Sequence, residues 1–218
     1  AADFYQNITN TAGVGNFNCT VAVTWGDYNK DGYMDLYFAN IQSNHNYLFN
    51  NNGNETFTDF TYAAGVPDIG DARSCSFIDY NNDTWIDLFN TNHVSPNKLY
   101  KNNKDGTFTD VASESNISDP QDGFGISWGD YDMDGDLDVL ICGHNSLCLN
   151  LLRNDGGNLK NYIFLNLHGI YDNASGIGTR INLFIDGNCQ IQDLCGVAGN
   201  NGQNALPVHF GLDTASIV

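Results

Sequence analysis

One acidic pattern, met three times at nearly constant spacing, constrains this chain more than anything else in it. Trp25-Gly26-Asp27-Tyr28-Asn29-Lys30-Asp31-Gly32-Tyr33-Met34-Asp35-Leu36 returns as Ile78-Asp79-Tyr80-Asn81-Asn82-Asp83-Thr84-Trp85-Ile86-Asp87-Leu88. It returns again as Trp128-Gly129-Asp130-Tyr131-Asp132-Met133-Asp134-Gly135-Asp136-Leu137-Asp138-Val139. The first aspartate stands at 27, 79 and 130, a period of about 51–52 residues, which is the size of a propeller blade. Between the loops, Asn51-Asn52-Gly53 through Thr56-Phe57-Thr58-Asp59-Phe60 matches Asn102-Asn103 through Gly106-Thr107-Phe108-Thr109-Asp110-Val111.

Each unit reads as β. Val21, Val23 and Trp25 alternate with Ala22 and Thr24 before the first loop, the period-2 signature of a half-buried strand. After the loop come a short apolar strand, a polar turn, a Leu/Tyr strand, an Asn/Gly turn and the Thr-Phe-Thr-Asp strand, so four strands per unit are expected. Trp25 and Trp128 sit at strand period and are expected to fill the core. At the start of the chain, Tyr5, Ile8 and Gly13-Val14 align with Phe57, Phe60 and Gly65-Val66. Residues 1–15 therefore read as an orphan blade-ending strand, residues 16–158 as three repeats, and residues 159–218 as a β-rich C-terminal domain. Three loops are fewer than the four to eight blades of a closed propeller. The expected fold is all-β, with β-propeller-type blades in an incomplete ring whose edges must be paired, covered or charged.

The loops themselves place oxygen side chains at alternate positions with a backbone carbonyl at the seventh, the arrangement of an EF-hand-like calcium loop. The candidate ligands are Asp27, Asn29, Asp31, Tyr33 (carbonyl) and Asp35; Asp79, Asn81, Asp83, Trp85 (carbonyl) and Asp87; and Asp130, Asp132, Asp134, Asp136 (carbonyl) and Asp138. About three Ca2+ ions are expected. Asp- and Asn-rich turns occur without metal, but three copies in register favour calcium. The first and third loops carry Gly32 and Gly135 at the sixth position, whereas the second has the β-branched Thr84, which strains at positive φ. The second site is therefore expected to be the weakest. At a dissociation constant of ~0.1 mM in ~2 mM calcium, each ion would stabilise the fold by roughly 1.8 kcal/mol. That is the scale of a structural ion.

Composition narrows the partners. With 8 Lys+Arg against 26 Asp+Glu and a net charge of -18, the surface repels a phosphate backbone, so no nucleic acid is expected. No apolar run approaches the ~20 residues of a membrane span. The even count of 6 cysteines fits an oxidising compartment. Cys142 and Cys148 bracket a turn and are the candidate local disulfide. The start at Ala1-Ala2-Asp3 without Met is what a processed secreted chain or a fragment would show. Sequons at Asn7, Asn18, Asn54, Asn116 and Asn173 are glycosylation candidates; a sixth, Asn82, lies inside the second loop and is expected to stay unmodified.

These motifs resemble the FG-GAP/VCBS calcium-binding repeat family. The later residues Asn161–Leu167, Asn173–Ile181 and His209–Leu212 are similar to the ASPIC/UnbV domain that follows such repeats. The resemblance covers nearly the whole chain. It implies propeller-type blades, an extracellular or cell-surface location and an adhesion or matrix role, and it brings no shared catalytic site.

An enzyme is not expected. The only glutamates are Glu55 and Glu114, most aspartates are committed to the loops, and no nucleophile elbow, P-loop or HExxH appears. His45, His93 and His144 occupy corresponding turns and read as surface residues rather than a metal cluster. The expected function is a secreted calcium-binding structural or adhesive protein whose partners are copies of itself, through strand donation by residues 5–14, or extracellular glycans and matrix proteins. A calcium-dependent glycan-binding, lectin-like module is the alternative.

Overall fold

A computed structural model of the chain describes residues 4–15, 19–42, 45–93, 95–118, 123–143, 149–156, 159–169, 175–194 and 207–215. Among them the regular secondary structure is almost entirely β. The first sheet runs β1 (Thr20–Gly26), β2 (Asp35–Asn40), β3 (Tyr47–Asn51) and β4 (Phe57–Asp59), paired in that order and antiparallel. A single helical turn, α1 (Thr61–Ala64), leads to the second sheet: β5 (Ala72–Ile78), β6 (Asp87–Asn92), β7 (Lys98–Asn102) and β8 (Phe108–Asp110). The third contains β9 (Gly123–Gly129), β10 (Asp138–Gly143) and β11 (Leu149–Leu152). These are propeller-type blades, and the described residues form no closed ring.

The third blade departs from the expected four strands. By its distance from Asn154, the segment starting at Lys160 corresponds to β4 and β8, but it enters β12 (Asn161–Leu165), which pairs with β15 (Val208–Asp213) instead of β11. β13 (Arg180–Ile185) and β14 (Asn188–Asp193) form a second two-stranded sheet beside it. A core of Leu194, Val208 and Phe210, with Ile163, Leu165, Ile181 and Leu183 against it, joins the two pairs. In a chain of three similar units, the last one gives its outer strand to the C-terminal fold.

Stacking follows the apolar alternation. Each blade has a leading face, turned toward the preceding blade, and a trailing face, turned toward the next. Tyr37, Ala39 and Leu48 on the trailing face of the first blade share a core with Cys75 and Leu88 of the second. Phe89 and Leu99 on the second do the same with Ile126 and Trp128 of the third. Phe89 and Trp128 meet edge to face, 5.5 Å between ring centroids. Each such buried side chain contributes on the order of 2 kcal/mol. Trp25 occupies the position of Trp128, yet it is 55% exposed where Trp128 is 4%. The expectation that both fill the core holds only for Trp128, because no described sheet precedes the first blade.

The segment ahead of β1 also differs from a continuous strand. Ala12 N donates to Ile8 O at 2.8 Å and Val14 N to Thr9 O at 3.1 Å, as Ala64 N does to Phe60 O at 2.8 Å and Val66 N to Thr61 O at 3.0 Å. Residues 8–14 thus repeat the turn that follows β4. This turn docks on the outer strand of the first blade, where Phe57 N donates to Ala12 O at 2.8 Å. Gly13 adopts φ +81 with its α-carbon against Phe57 O, an approach a side chain would obstruct.

Candidate metal centres

Each acidic loop is the hairpin between the first two strands of its blade. The ladders end at Gly26↔Asp35, Ile78↔Asp87 and Gly129↔Asp138, so the last aspartate of every loop is held as the first residue of a strand. The first aspartate then organises the turn. Asp27 accepts from Asp31 N and Gly32 N at 3.1 Å each. Asp79 accepts from Asp83 N at 3.0 Å and Thr84 N at 2.9 Å. Asp130 accepts from Asp134 N at 3.2 Å and Gly135 N at 3.0 Å. The fifth-position carboxylates receive the seventh-residue amide: Tyr33 N to Asp31 at 2.9 Å, Trp85 N to Asp83 at 3.0 Å, Asp136 N to Asp134 at 3.3 Å. One backbone course therefore serves all three loops.

These carboxylates are expensive to bury. Asp27, Asp35, Asp79, Asp83, Asp87, Asp136 and Asp138 are all buried. Burial pushes Asp35 up to about 7, with Asp31 and Asp27 adding repulsion. Burial, then the charge of Asp83, pushes Asp79 to about 7. Burial, then the charge of Asp79, raises Asp87 well above the carboxylate range. Asp27 and Asp138 are raised for the same leading reason. A divalent cation reverses this balance, since a nearby positive charge favours the ionised carboxylate. In the third loop, Asp130, Asp132 and Asp138 bring oxygens within 4.8 Å of one another. The donors are oxygens without His or Cys, a set that fits calcium. The residues present therefore fit the ion.

The second loop has different neighbours. Thr84 adopts φ +76, the left-handed region that Gly32 and Gly135 occupy at φ 90 and 100. Lys30 Nζ donates to Thr84 Oγ1 at 2.9 Å and lies 4.3 Å above the Trp85 ring. Lys104 Nζ stands 3.3 Å from Asp83. The C-terminal sheet covers the same loop: Asp213 N donates to Asn82 O at 2.9 Å, and Gly211 lies so close to Asp79 and Asn82 that no side chain would fit there. Asn82 is fully buried and donates to Gly135 O in the third loop at 3.0 Å. A glycan has no room on it.

An asparagine that recurs through the repeats connects the loops, a role that motif matching alone did not show. Asn51, Asn102 and Asn154 each donate their backbone N–H to the last aspartate of their own loop: Asp35 at 2.8 Å, Asp87 at 2.7 Å and Asp138 at 2.9 Å. Their amide groups donate to Met34 O, Ile86 O and Leu137 O of the same loops. Asn102 also reaches Tyr28 O at 2.9 Å and Asn154 reaches Tyr80 O at 2.7 Å, both in the preceding loop. The sequence signal was the spacing of these asparagines, which matches the spacing of the loops.

Other candidates disperse. Among the glycosylation candidates, Asn7, Asn54 and Asn116 are exposed, while Asn18 and Asn173 lie outside the described residues. Cys142 stands opposite Leu149 in the β10–β11 hairpin and is a free thiol, as are Cys19, Cys75 and Cys189. Cys148 and His144 lie outside the described residues. Burial pushes the Cys75 thiol up to about 12, so it behaves as a small apolar side chain. His93 sits 3.3 Å from Asp71, in no described metal cluster.

The FG-GAP-like repeat profile matches residues 27–90 and 79–141, and the ASPIC and UnbV profile matches residues 169–218. Cartilage acidic protein 1 of Mus musculus is 30% identical over 140 residues, 62% of this chain and 21% of that protein. Its Homo sapiens counterpart is 34% identical over 83 residues, 38% of this chain and 13% of that protein. The matched stretch thus spans about a fifth of the mouse protein. A solved structure of an Agrocybe aegerita lectin, described for its recognition of non-reducing terminal N-acetylglucosamine, covers 92% of this chain and 54% of its own at 17% identity and a TM-score of 0.37. Among the described residues no helix is long and apolar enough to cross a membrane.

Proposed function

Because this chain belongs to the FG-GAP-like repeat family and carries an ASPIC and UnbV domain, we propose that it is an extracellular, calcium-stabilised structural protein that self-associates. The observation that carries the calcium reading is the set of buried aspartates at the blade hairpins, raised by burial and by one another. Such a cluster is stable when an ion neutralises it. Asn29, Asp31, Asn81, Asp130, Asp132 and Asp134 would complete the side-chain donors, and Tyr33, Trp85 and Asp136 would each give a carbonyl. The bound ion supplies positive charge. The chain supplies rigid hairpins and, through Asn102 and Asn154, a connection from one loop to the next.

The relatives' name, cartilage acidic protein 1, supports an extracellular, matrix-type setting. The supporting sequence feature is an acidic chain with few cations. Self-association is supported by exposed aromatic and leucine side chains at both ends of the blade stack. Thermal unfolding with calcium and with chelator tests the calcium reading: a midpoint that falls on chelation is expected. Identical midpoints, together with no calcium uptake by titration calorimetry, would reject it.

A further inference from the structure

The two ends of the blade stack are complementary in kind. At the leading end, Val23 and Trp25 are exposed, whereas their counterparts Cys75 and Ile126, and Trp128, are buried by a preceding blade. At the trailing end, Leu151 is 53% exposed and Leu140 and Leu149 are also exposed, whereas Leu48 and Leu99, which correspond to Leu151, are buried by a following blade. The tyrosine after the first loop aspartate repeats the contrast. Tyr28 is 1% exposed, stacked on Phe77 at 6.4 Å and tilted against Phe108 at 5.4 Å between ring centroids, both of the second blade. Tyr131 is 54% exposed.

One end of the stack also has an open strand edge among the described strands, and the other has an exposed segment, residues 4–7, in no described strand. β11 pairs with β10 alone among the described strands. A cavity of about 490 Å³ lies where the fourth strand of that blade belongs, lined by Tyr80, Ile117, Trp128, Leu151, Leu152 and Asn154. Phe108, on the fourth strand of the second blade, packs on Tyr28 of the blade before it. The equivalent aromatic of the third blade would pack on Tyr80, which lines this cavity. At the other end, Phe4 and Tyr5 are almost fully exposed. Tyr5 aligns with Phe57 and Phe108, and the turn that follows it is docked on β4.

Resting on the self-association read above, we infer that residues 4–7 of one copy add to β11 of a second copy as its fourth strand, with Tyr5 in the cavity beside Tyr80, joining chains head to tail. One chain cannot satisfy itself this way. The turn at residues 8–14 is fixed on the first blade, so the strand before it belongs on that blade's leading side, while the cavity is in the third blade. A second copy restores the relation that the blades already have within the chain. The trailing leucines of one copy then cover Val23 and Trp25 of the next, Tyr131 meets Trp25 and Phe57, and Asn51 gains Tyr131 O. That last bond repeats Asn102 to Tyr28 O and Asn154 to Tyr80 O. Extended segments are recognised by sheet edges through main-chain bonds and a side-chain pocket, and a head-to-tail contact that does not close gives an open filament.

Two variants test this. One lacks residues 1–7 and so has no donor strand; the other carries Leu151→Asp and so has a blocked groove. Residues 4–7 and Leu151 are exposed, so circular dichroism and unfolding midpoints are expected to match the parent. In calcium, mass photometry is expected to show multiples of 23.9 kDa for the parent and single chains for each variant alone. The two variants mixed are expected to give one-to-one dimers, because each retains the end the other lost. A single-chain parent, a truncated variant that polymerises like the parent, or a mixture that stays single would overturn the inference, as would a groove filled by a different protein. The midpoints of the single-chain variants with and without chelator read the calcium proposal separately, so either can fail without the other.

Discussion

The middle repeat and the two outer ones have the same acidic-loop pattern but not the same surroundings. The second blade is covered on both faces, its loop lies under Gly211 and Asp213, and Lys30 and Lys104 reach into it. The first and third blades each have one bare face, and their loops turn through Gly32 and Gly135 instead of Thr84. Similar loops therefore differ in three separable terms: desolvation, backbone strain and competing cations. Burial makes the middle loop depend most on a neutralising charge. Its threonine and its two lysines make that charge harder to accommodate.

The largest effect expected from this contrast is at the last ligand of the middle loop. Asp87→Ala removes a fully buried acceptor of Asn102 N–H and is expected to cost about 3 kcal/mol in calcium. Asp132→Ala, on the exposed side of the third loop, is expected to cost about 1 kcal/mol. Urea unfolding checks both, and equal costs would break the comparison. Next come the asparagines. In a single chain lacking residues 1–7, Asn102→Ala loses bonds in its own loop and to Tyr28 O and is expected to cost about 2 kcal/mol, whereas Asn51→Ala loses only bonds within its blade and costs about 1 kcal/mol. The same unfolding series ranks them, and a reversed order would show that the link between loops contributes little.

Much of this was legible in the residues. The loop spacing, the hairpin position of the acids and the β period were readable because ligand geometry and strand alternation are local properties. Which face is covered was not. Trp25 and Trp128 have the same local sequence, and only the presence of a preceding blade separates an exposed indole from a buried one. That residues 161–165 belong with the C-terminal domain was legible in their family resemblance, whereas their pairing with residues 208–213 was not, because it is set by contacts far along the chain. The cover over the second loop and the lysine at Asp83 likewise come from contacts far along the chain.

Smaller effects sharpen the strain term. Thr84→Gly is expected to stabilise the chain by about 1 kcal/mol by relieving φ +76, and Gly32→Thr to destabilise it by about as much. Unfolding midpoints measured in chelator isolate this from metal binding; no change at Thr84 would remove strain from the reasons for expecting the middle site to be the weakest. The smallest effect lies outside the repeats. Arg180 holds Asp193 at 2.8 Å through two nitrogens and keeps its carboxyl below the usual range. That contribution is present above the unfolded aspartate pKa and fades as pH falls toward the depressed folded value. The pair is partly exposed, so Asp193→Asn is expected to cost under about 1 kcal/mol at neutral pH and nothing in strong acid.

Calcium counted per chain after equilibrium dialysis against a micromolar-to-millimolar series tests the central claim most directly. Three ions are expected at saturation, two of them retained after the middle loop has emptied. A chain that takes up no calcium, or whose middle loop is the last to release it, would contradict the account.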